Sequence, residues 1–272
     1  MAIRRPNKPP EISTDVFAVA PGNSSNPIPA FVSNFTVDAA FLFNFNGGYD
    51  NYLLSRLTGD AYLRANTNEQ QVTGTGETFD SNTGWARIYN STYQSVMFKR
   101  APGFMDVVTF SGTGSNLAVN HNLDAIPELI LHKNRTSSST NWIVSTTPLY
   151  SSGKILNLSS NGGPFGGGTS FMTAAPTASQ ISLSASSSNV NASGNNYIQY
   201  LFATLPGISK VGSYSGYTGY AVNVDCGFTN GARFIMIKRI DEDVTGDWYL
   251  WDSVRGIVNG NEPYLLLNVN TT

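Results

Sequence analysis

The side chains best suited to nucleophilic or acid–base catalysis are few in this 272-residue chain, which has two histidines and one cysteine. A nucleophilic triad needs a base that is oriented by a carboxylate and lies beside the nucleophile, and the sequence around His121 and His132 suggests no such set. His121 lies in the turn-forming sequence Asn-His-Asn-Leu, so we expect its side chain to cap that turn. We therefore predict no catalytic residue and no enzyme activity.

The sequence also has no pattern that is typical of a metal or cofactor site. Cys226 is the single cysteine, which excludes an intrachain disulfide and a thiolate metal cluster. The loop 241–247 alternates oxygen donors with a glycine but lacks the distal glutamate of a calcium loop. The glycine-rich segment 159–170 lacks the Lys-Ser/Thr ending of a phosphate-binding loop. The carboxylates that a glycosidase could pair are scattered: Asp50, Asp60, Asp80, Asp106 and Asp252. We predict no metal and no cofactor.

Tryptophan is the residue type here that is best suited to contact a sugar, because its flat face packs against apolar and cationic surfaces. Trp142 and Trp248 are 106 residues apart in matching contexts, which predicts that both belong to the core of a repeated fold. Trp85 and Trp251 have no such counterpart. These two are the candidate glycan contacts.

A repeated motif organises the elements that carry these residues. Residues 98–112 read aromatic, spacer, Pro-Gly, apolar residue, valine, aromatic and Ser-Gly, and residues 202–216 repeat the pattern. Pro102 and Pro206 are 104 residues apart, as are Gly112 and Gly216. Apolar runs separated by Pro, Asn and Gly indicate hairpins. The sequence therefore predicts a duplicated β module.

Each copy continues with a strong strand and then a strand that carries tryptophan. The strong strands are expected at Leu129–Leu131 and Phe234–Ile237. His132 follows the first of them, where the second copy has Ile237 or Lys238, and a catalytic group is not expected at a position that varies in this way. The segments around Val37–Phe45, Asn51–Gly59 and Tyr62–Thr67 resemble a third, partial copy.

These matches predict an all-β fold of tandem β-sandwich modules. We expect an extended N-terminal arm over residues 1–30, a first partial module over 31–100, a second module over 101–200 and a third partial module over 201–272. The sequence begins and ends partway through the repeating unit. We expect either a longer natural chain or a C-terminal half that closes against something else.

The arm is rich in proline, which fixes φ and lacks a backbone donor, so a helix or an inner strand is excluded there. Val16, Phe17 and Val19 form an apolar run within it. A solvated leader has no use for such a run, and we predict an arm that docks onto a neighbouring subunit through these residues.

Bulk composition excludes several partners. The net charge is −2, and charged and aromatic residues each make up 12% of the chain, a balance that argues against disorder. Nucleic acid and anionic membranes need a basic patch, so neither is an expected partner. No apolar run approaches the roughly 20 residues of a membrane span, and the N-terminus has no apolar core behind its basic residues, so it is not a signal peptide.

The motif at residues 98–114, followed by residues 119–131, resembles a repeat module of bacteriophage virion proteins, which is common in tailed phages of marine cyanobacteria and other aquatic hosts. Residues 212–219, 235–239 and 246–256 look like the same module, so the resemblance spans about residues 31–272. Proteins with this module are described mostly as tail-fibre or structural proteins, without established catalytic residues. This chain departs from the module in its proline-rich arm and in its incomplete first and third copies.

The resemblance implies a virion structural protein, made in the host cytoplasm and most simply a tail-fibre or tail-associated protein. Its arm would dock onto the tail, and its modules would lead toward a host cell-surface receptor bound by the wider fibre. Phage fibres are usually trimers, and oligomers close by symmetry, so we expect a homotrimer that contacts other tail proteins. Two alternatives stay open: a capsid-decorating or head-fibre protein, and a carbohydrate-binding module or depolymerase.

Overall fold

A computed structural model describes residues 8–23, 28–87, 91–185, 187–217, 219–257 and 262–270. Strands account for 34% and helices for 4% of the chain. The prediction of an all-β fold is confirmed, and the several antiparallel sheets are consistent with β-sandwich modules.

Within the described residues there are a 3-10 helix at Ser13–Asp15, two single-turn helices, α1 at Thr147–Tyr150 and α2 at Gly168–Phe171, and short strands. The strands are β1 (Phe17–Pro21), β2 (Phe31–Val32), β3 (Ala39–Asn44), β4 (Tyr52–Ser55), β5 (Ala61–Arg64), β6 (Val72–Thr73), β7 (Gly84–Trp85), β8 (Tyr93–Phe98), β9 (Met105–Ser111), β10 (Leu117–Asn120), β11 (Leu129–Asn134), β12 (Ile143–Thr146), β13 (Lys154–Ile155), β14 (Phe165–Gly166), β15 (Gln180–Leu183), β16 (Asn196–Phe202), β17 (Phe234–Lys238), β18 (Trp248–Asp252) and β19 (Leu265–Leu266).

The second module shows the plan of the repeating unit. Its main sheet has the order β12-β11-β16-β9, and β10 and β15 pair as a second, smaller sheet. Val119 of β10 and Ile181 and Leu183 of β15 pack with Ile130 and Leu201 of the main sheet in one apolar cluster. Because side chains alternate between the two faces of a strand, the other face of the main sheet is left for a second core.

The first module repeats this plan. Its main sheet has the order β1-β8-β3-β4-β5-β6, and the pair β2 and β7 corresponds to β10 and β15. Phe31 and Trp85 of that pair pack with Leu42, Leu54 and Met97 of the main sheet. The first module therefore has a counterpart for each strand of both sheets of the second module, and the prediction of a partial copy is wrong.

The strand that completes the first module comes from the predicted arm. β1 pairs antiparallel with β8, with Phe17 opposite Phe98, and Val16 and Phe17 are buried in the core of the chain itself. The prediction that Val16, Phe17 and Val19 dock onto another protein is therefore wrong, and the boundary at residue 30 does not separate an arm from a module. Proline is tolerated here because β1 is an edge strand that ends at Pro21. Pro6 and Pro27 lie outside the described residues.

The turn at the start of each full repeat has the same geometry in both copies. Backbone bridges join Ala101 to Met105 and Leu205 to Ser209, and Gly103 and Gly207 have φ of 75° and 74°. The predicted duplication is confirmed at this turn. The boundary predicted at residue 200 is displaced, because β16 continues to Phe202.

The three modules close into a ring, because each donates a side-chain hydrogen bond to the same backbone position of another. The bonds join Trp142 Nε1 to the Arg64 carbonyl (2.8 Å), Trp248 Nε1 to the Asn157 carbonyl (3.2 Å) and Asn51 Nδ2 to the Leu266 carbonyl (2.8 Å). They run from the second module to the first, from the third to the second, and from the first to the third.

A backbone hydrogen bond repeats at each junction of this ring. The bonds join the amides of Thr140, Gly246 and Gly48 to the carbonyls of Asn68, Asn161 and Asn270, at 3.1, 2.8 and 2.7 Å. Each acceptor lies four residues beyond the corresponding carbonyl acceptor of the side-chain bond. Two sets of equivalent bonds therefore link three equivalent units in one direction around a closed ring.

The inner faces of the three main sheets meet in a central core. Phe41 of the first module and Leu131 of the second are buried in this apolar cluster, and Met236 of the third is partly buried and packs against the same cluster. Trp142 and Trp248 lie in the same cluster, at 0% and 3% exposure, so their predicted core positions are confirmed. One core shared by three modules explains why the chain folds as a ring.

Candidate functional site

The structure buries the first candidate glycan contact. Trp85 is 0% exposed, stacks on Phe31 and Phe79 and donates its Nε1 hydrogen to Ser95 Oγ over 2.9 Å. The prediction that Trp85 contacts a glycan is therefore wrong. Its strand, β7, covers the main sheet of the first module, and a large aromatic side chain fills the space between the two sheets.

Both histidines have structural roles in the fold. Nδ1 of His121 accepts the amide hydrogen of Leu123 over 3.3 Å, which confirms the predicted cap of that turn. His132 is fully buried; its ring stacks on Tyr197, and its Nε2 lies 3.0 Å from the carbonyl oxygen of Asn189. Burial lowers the pKa of both histidines, to about 4 for His132. A base that stays neutral inside an aromatic cluster is a packing residue.

The depressed pKa of His132 predicts a loss of stability in acid. The unfolded imidazole titrates near 6.5 and the folded one near 4, so unfolding takes up a proton between these values. The contribution is present above the unfolded pKa and is lost as the pH falls through this window, by on the order of 3 kcal/mol. Urea unfolding at about pH 7.5 and about pH 4.5 measures this loss. His132→Gln does not titrate and should lose less stability between the two conditions; an equal loss in both proteins would contradict the assignment.

The buried carboxylates of Asp106 and Asp252 also make hydrogen bonds that stabilise local structure. Asp106 accepts the amide hydrogens of Val107 and Asn122, and burial raises its pKa. Asp252 is buried and bonds to Arg255 within its own turn. In the part of the chain that the structure describes, no three His, Cys, Asp or Glu side chains gather where they could hold a metal ion. No helix among the described residues is long and apolar enough to cross a membrane.

The second candidate glycan contact, Trp251, lies in an aromatic cluster on the outer face of the third module. It stacks on Tyr249, with ring centroids 5.8 Å apart, and Tyr264 packs edge-on against Tyr249 at 5.2 Å. Along β18, Trp248, Leu250 and Asp252 are buried, whereas Tyr249 and Trp251 are half-buried. Tyr264 is 50% exposed. We call Tyr249, Trp251, Tyr264, Ile235 and Ile237 the outer face of the third module.

The corresponding face is covered in the other two modules. The positions that match Trp251 are Leu54 and Ser145, which the register of the paired strands identifies, and both are buried. All six residues of β3 are buried and five of six in β11, but none of the five in β17. The described residues of the third module form the single sheet β17-β18-β19, without a second layer.

One edge of this sheet is also unpaired. β3 and β11 each lie between two neighbouring strands, whereas β17 pairs only with β18 among the residues that the structure describes. The segment before β17 holds exposed apolar side chains: Tyr214, Tyr220, Val222 and Val224. This segment corresponds to β9 and β10 of the second module, where Val119 is 6% exposed against 39% for Val222. Uncovered apolar faces and free strand edges are the kinds of surface to which polypeptides bind in other proteins.

Comparison with known proteins places the chain in a family without an assigned activity. The model of a family described as a domain of unknown function, DUF7483, matches residues 57–272. The chain belongs to the DUF7483 family. No curated protein and no solved structure matches it significantly. The DUF7483 match begins just after β4 and takes in the second and third modules, including the outer face of the third.

Sequence reasoning singled out Trp251 but missed its neighbours. Tyr249 and Tyr264 are 15 residues apart in sequence, and the pairing of β18 with β19, which follows Tyr264 directly, brings the two rings together. The signal was available: Trp248, Tyr249, Leu250 and Trp251 are consecutive, so alternation along a strand must place two of these large side chains on each face.

Proposed function

We propose that this chain is a virion structural protein of a tailed bacteriophage, a tail-fibre or tail-associated protein whose modules form a rigid body. The observation that carries the structural role is the ring: three equivalent modules are closed by equivalent hydrogen bonds around one core. Its buried histidines and carboxylates pack and form hydrogen bonds inside the modules. The phage origin rests on the resemblance of residues 98–131 to a repeat of virion proteins.

Attachment to the tail does not use Val16 and Phe17, which are buried in the chain's own core. The partners proposed are other tail proteins, a homotrimer of this chain and, through the wider fibre, a host cell-surface receptor. A ring closed within one chain leaves its outer surfaces free for such contacts, and the outer face of the third module carries the half-exposed aromatic cluster of Tyr249, Trp251 and Tyr264.

Immunogold electron microscopy of the phage particle tests the proposal, with antibodies raised against the recombinant chain. Label on the tail is the expected result. Label on the head would favour the alternative of a capsid-decorating or head-fibre protein. Particles free of the chain by labelling and by mass spectrometry would overturn both. Light scattering of the purified chain tests the trimer, and a monomer at micromolar concentration would contradict it.

A carbohydrate-binding function is a second candidate, because Trp251, Tyr249 and Tyr264 form a half-exposed aromatic cluster. Aromatic faces of this kind can pack against sugar rings. A glycan array probed with the chain and with Trp251→Ala tests it: binding that the substitution abolishes supports the candidate. A depolymerase would in addition need two carboxylates that flank the scissile bond, and Asp252 on the same strand is buried.

A further inference from the structure

We propose that the first module carries a saccharide-binding site built on Tyr52 and Tyr62, with Asp50, Arg64 and Asn66 beside them. We call these five residues the tyrosine site. It lies in a different module from the aromatic cluster around Trp251. The proposal rests on the second candidate function, carbohydrate binding, and is independent of the assignment to a virion.

Two tyrosine rings meet where the second layer of the first module ends. Tyr52 of β4 and Tyr62 of β5 have ring centroids 4.6 Å apart and an interplanar angle of 60°. Both side chains are half-buried and pack against the apolar cluster that fills the space between the two sheets. The pair therefore keeps part of its aromatic surface in contact with solvent in a module whose second layer, β2 and β7, is in place.

The same pair of tyrosines recurs in the third module. The register of the paired strands places Tyr249 at the position of Tyr52 and Tyr264 at that of Tyr62. The rings of the second pair are 5.2 Å apart, at 62°, so the geometry as well as the residue type is repeated. Two modules of the ring thus hold an equivalent aromatic pair at the same place.

The second module closes this place and carries different residues there. Ile143 and Ile155 occupy the two positions, and both are buried in one apolar cluster with Phe171 of α2. Tyrosine is thus found where the pair is half-exposed, and isoleucine where it is covered. An aromatic ring that carries a hydroxyl group suits a ligand with apolar faces and a polar rim.

Polar groups lie directly beside the pair. The guanidinium carbon of Arg64 is 5.5 Å from the centroid of the Tyr62 ring, and its Nε is 2.7 Å from the carboxylate of Asp50. Asn66 donates an Nδ2 hydrogen to the same carboxylate over 2.9 Å. The side chains of Arg64 and Asp50 are 24% and 27% exposed, so both remain within reach of a ligand. Such groups can bond to the hydroxyls of a sugar whose apolar face packs on a tyrosine ring.

The junctions of the ring hold these polar groups in place. The carbonyl of Arg64 accepts the Nε1 hydrogen of Trp142 over 2.8 Å. Oδ1 of Asn66 accepts the amide hydrogen of Asn51 over 3.2 Å, and the Asn51 side chain itself donates to the third module. Groups that are fixed before binding lose less conformational freedom when a ligand arrives. The tyrosine site is therefore formed in the free chain.

The surroundings favour a neutral saccharide over a peptide or an anion. β4 lies between β3 and β5, and β5 lies between β4 and β6, so neither strand offers the free edge to which peptides add. Arg64 pairs with both Asp50 and Glu69. Two negative charges therefore face one positive charge, which disfavours phosphate and polyanionic ligands.

Binding to a printed array of neutral and acidic mono- to hexasaccharides tests the proposal. We expect the unmodified chain to bind neutral saccharides, and Tyr62→Ala to weaken that binding at least about tenfold because it removes an aromatic face. Tyr62→Phe keeps the ring and should weaken binding less. Tyr214→Ala, at a tyrosine that is 49% exposed outside the site, is the matched control and should bind as the unmodified chain does.

Nuclear magnetic resonance of the chain with labelled tyrosine rings gives a second measurement that needs no alanine substitution in the site. Addition of the array saccharide that binds best should shift the ring signals of Tyr52 and Tyr62 and leave that of Tyr214 unchanged. Ring signals of Tyr52 and Tyr62 that stay in place at saturating saccharide would overturn the proposal. This measurement decides the matter if Tyr62→Ala lowers the thermal midpoint.

Failure of the unmodified chain to bind any saccharide, or binding to acidic saccharides alone, would also overturn the proposal. So would binding that a folded Tyr62→Ala retains in full. Binding that Trp251→Ala abolishes and Tyr62→Ala does not would assign carbohydrate binding to the third module, so the tyrosine site can fail while that function stands. Binding that both substitutions weaken would indicate a site in each module and support the proposal. None of these outcomes depends on where antibodies label the particle.

Discussion

Replacing Trp142 by alanine is expected to lower the free energy of unfolding by about 3–5 kcal/mol, the usual cost of removing a buried tryptophan. Trp142 is 0% exposed and packs in the core that all three modules share. Its Nε1 also donates to the carbonyl of Arg64, and alanine would leave that carbonyl without this donor. Chemical denaturation of both proteins at neutral pH measures the difference.

Trp251→Ala is the matched control for this experiment. The side chain is of the same type but is half-buried on the outer face of the third module, so its loss should cost no more than about 1 kcal/mol. Trp142→Phe should fall between the two, because it keeps part of the volume and loses the hydrogen bond. Similar losses for Trp142→Ala and Trp251→Ala would contradict the view that the ring is held at its junctions.

Replacing Gly112 by alanine is expected to destabilise the chain by about 3 kcal/mol or more, at the upper end of the usual cost of overpacking. The added β-carbon would lie 2.1 Å from the carbonyl oxygen of Ala192, which is backbone and cannot rotate away. Either β9 or the chain that enters β16 must shift, and with it the pairing of the main sheet of the second module. The thermal midpoint and the urea midpoint should both fall.

The same replacement at Gly216 should change the stability of the isolated chain by less than about 0.5 kcal/mol, as expected of an exposed site without contacts. Gly112 and Gly216 occupy the same place in the repeated motif, so the pair isolates the effect of the crossing chain from that of the motif. Equal destabilisation at both sites would show that the third module is covered like the second, within the same molecule.

The repeat could be found from sequence because the residues that form its turns are adjacent in the chain. Pro-Gly and Ser-Gly pairs fix turns through the backbone preferences of single residues, and the offset between Pro102 and Pro206 survives for that reason. Strands also follow from the alternation of apolar residues, and the predicted strands at Leu129–Leu131 and Phe234–Ile237 lie within β11 and β17.

The prediction of a docking arm fails because the partner strand of β1 is distant in sequence. An apolar run between prolines has the same local sequence pattern whether it binds to another chain or pairs with a strand of its own chain. The contact that decides between them joins Phe17 to Phe98, residues that are 81 apart. The prediction of an exposed Trp85 fails for a related reason: a single tryptophan without a repeat partner gives no sign of which face of its strand is covered.

The sequence alone determined the all-β class, the unit that repeats and the turns that punctuate it, because these follow from preferences of neighbouring residues. The tertiary structure alone decided that the modules close into a ring and that the described residues of the third module leave one face of its sheet uncovered. Trp142 and Trp248 occupy this junction in two modules, but the first module donates to the equivalent carbonyl from Asn51, so no residue type common to all three modules marks the junction. Such an equivalence is a property of positions in space, and it arises only when three sheets have packed around one core.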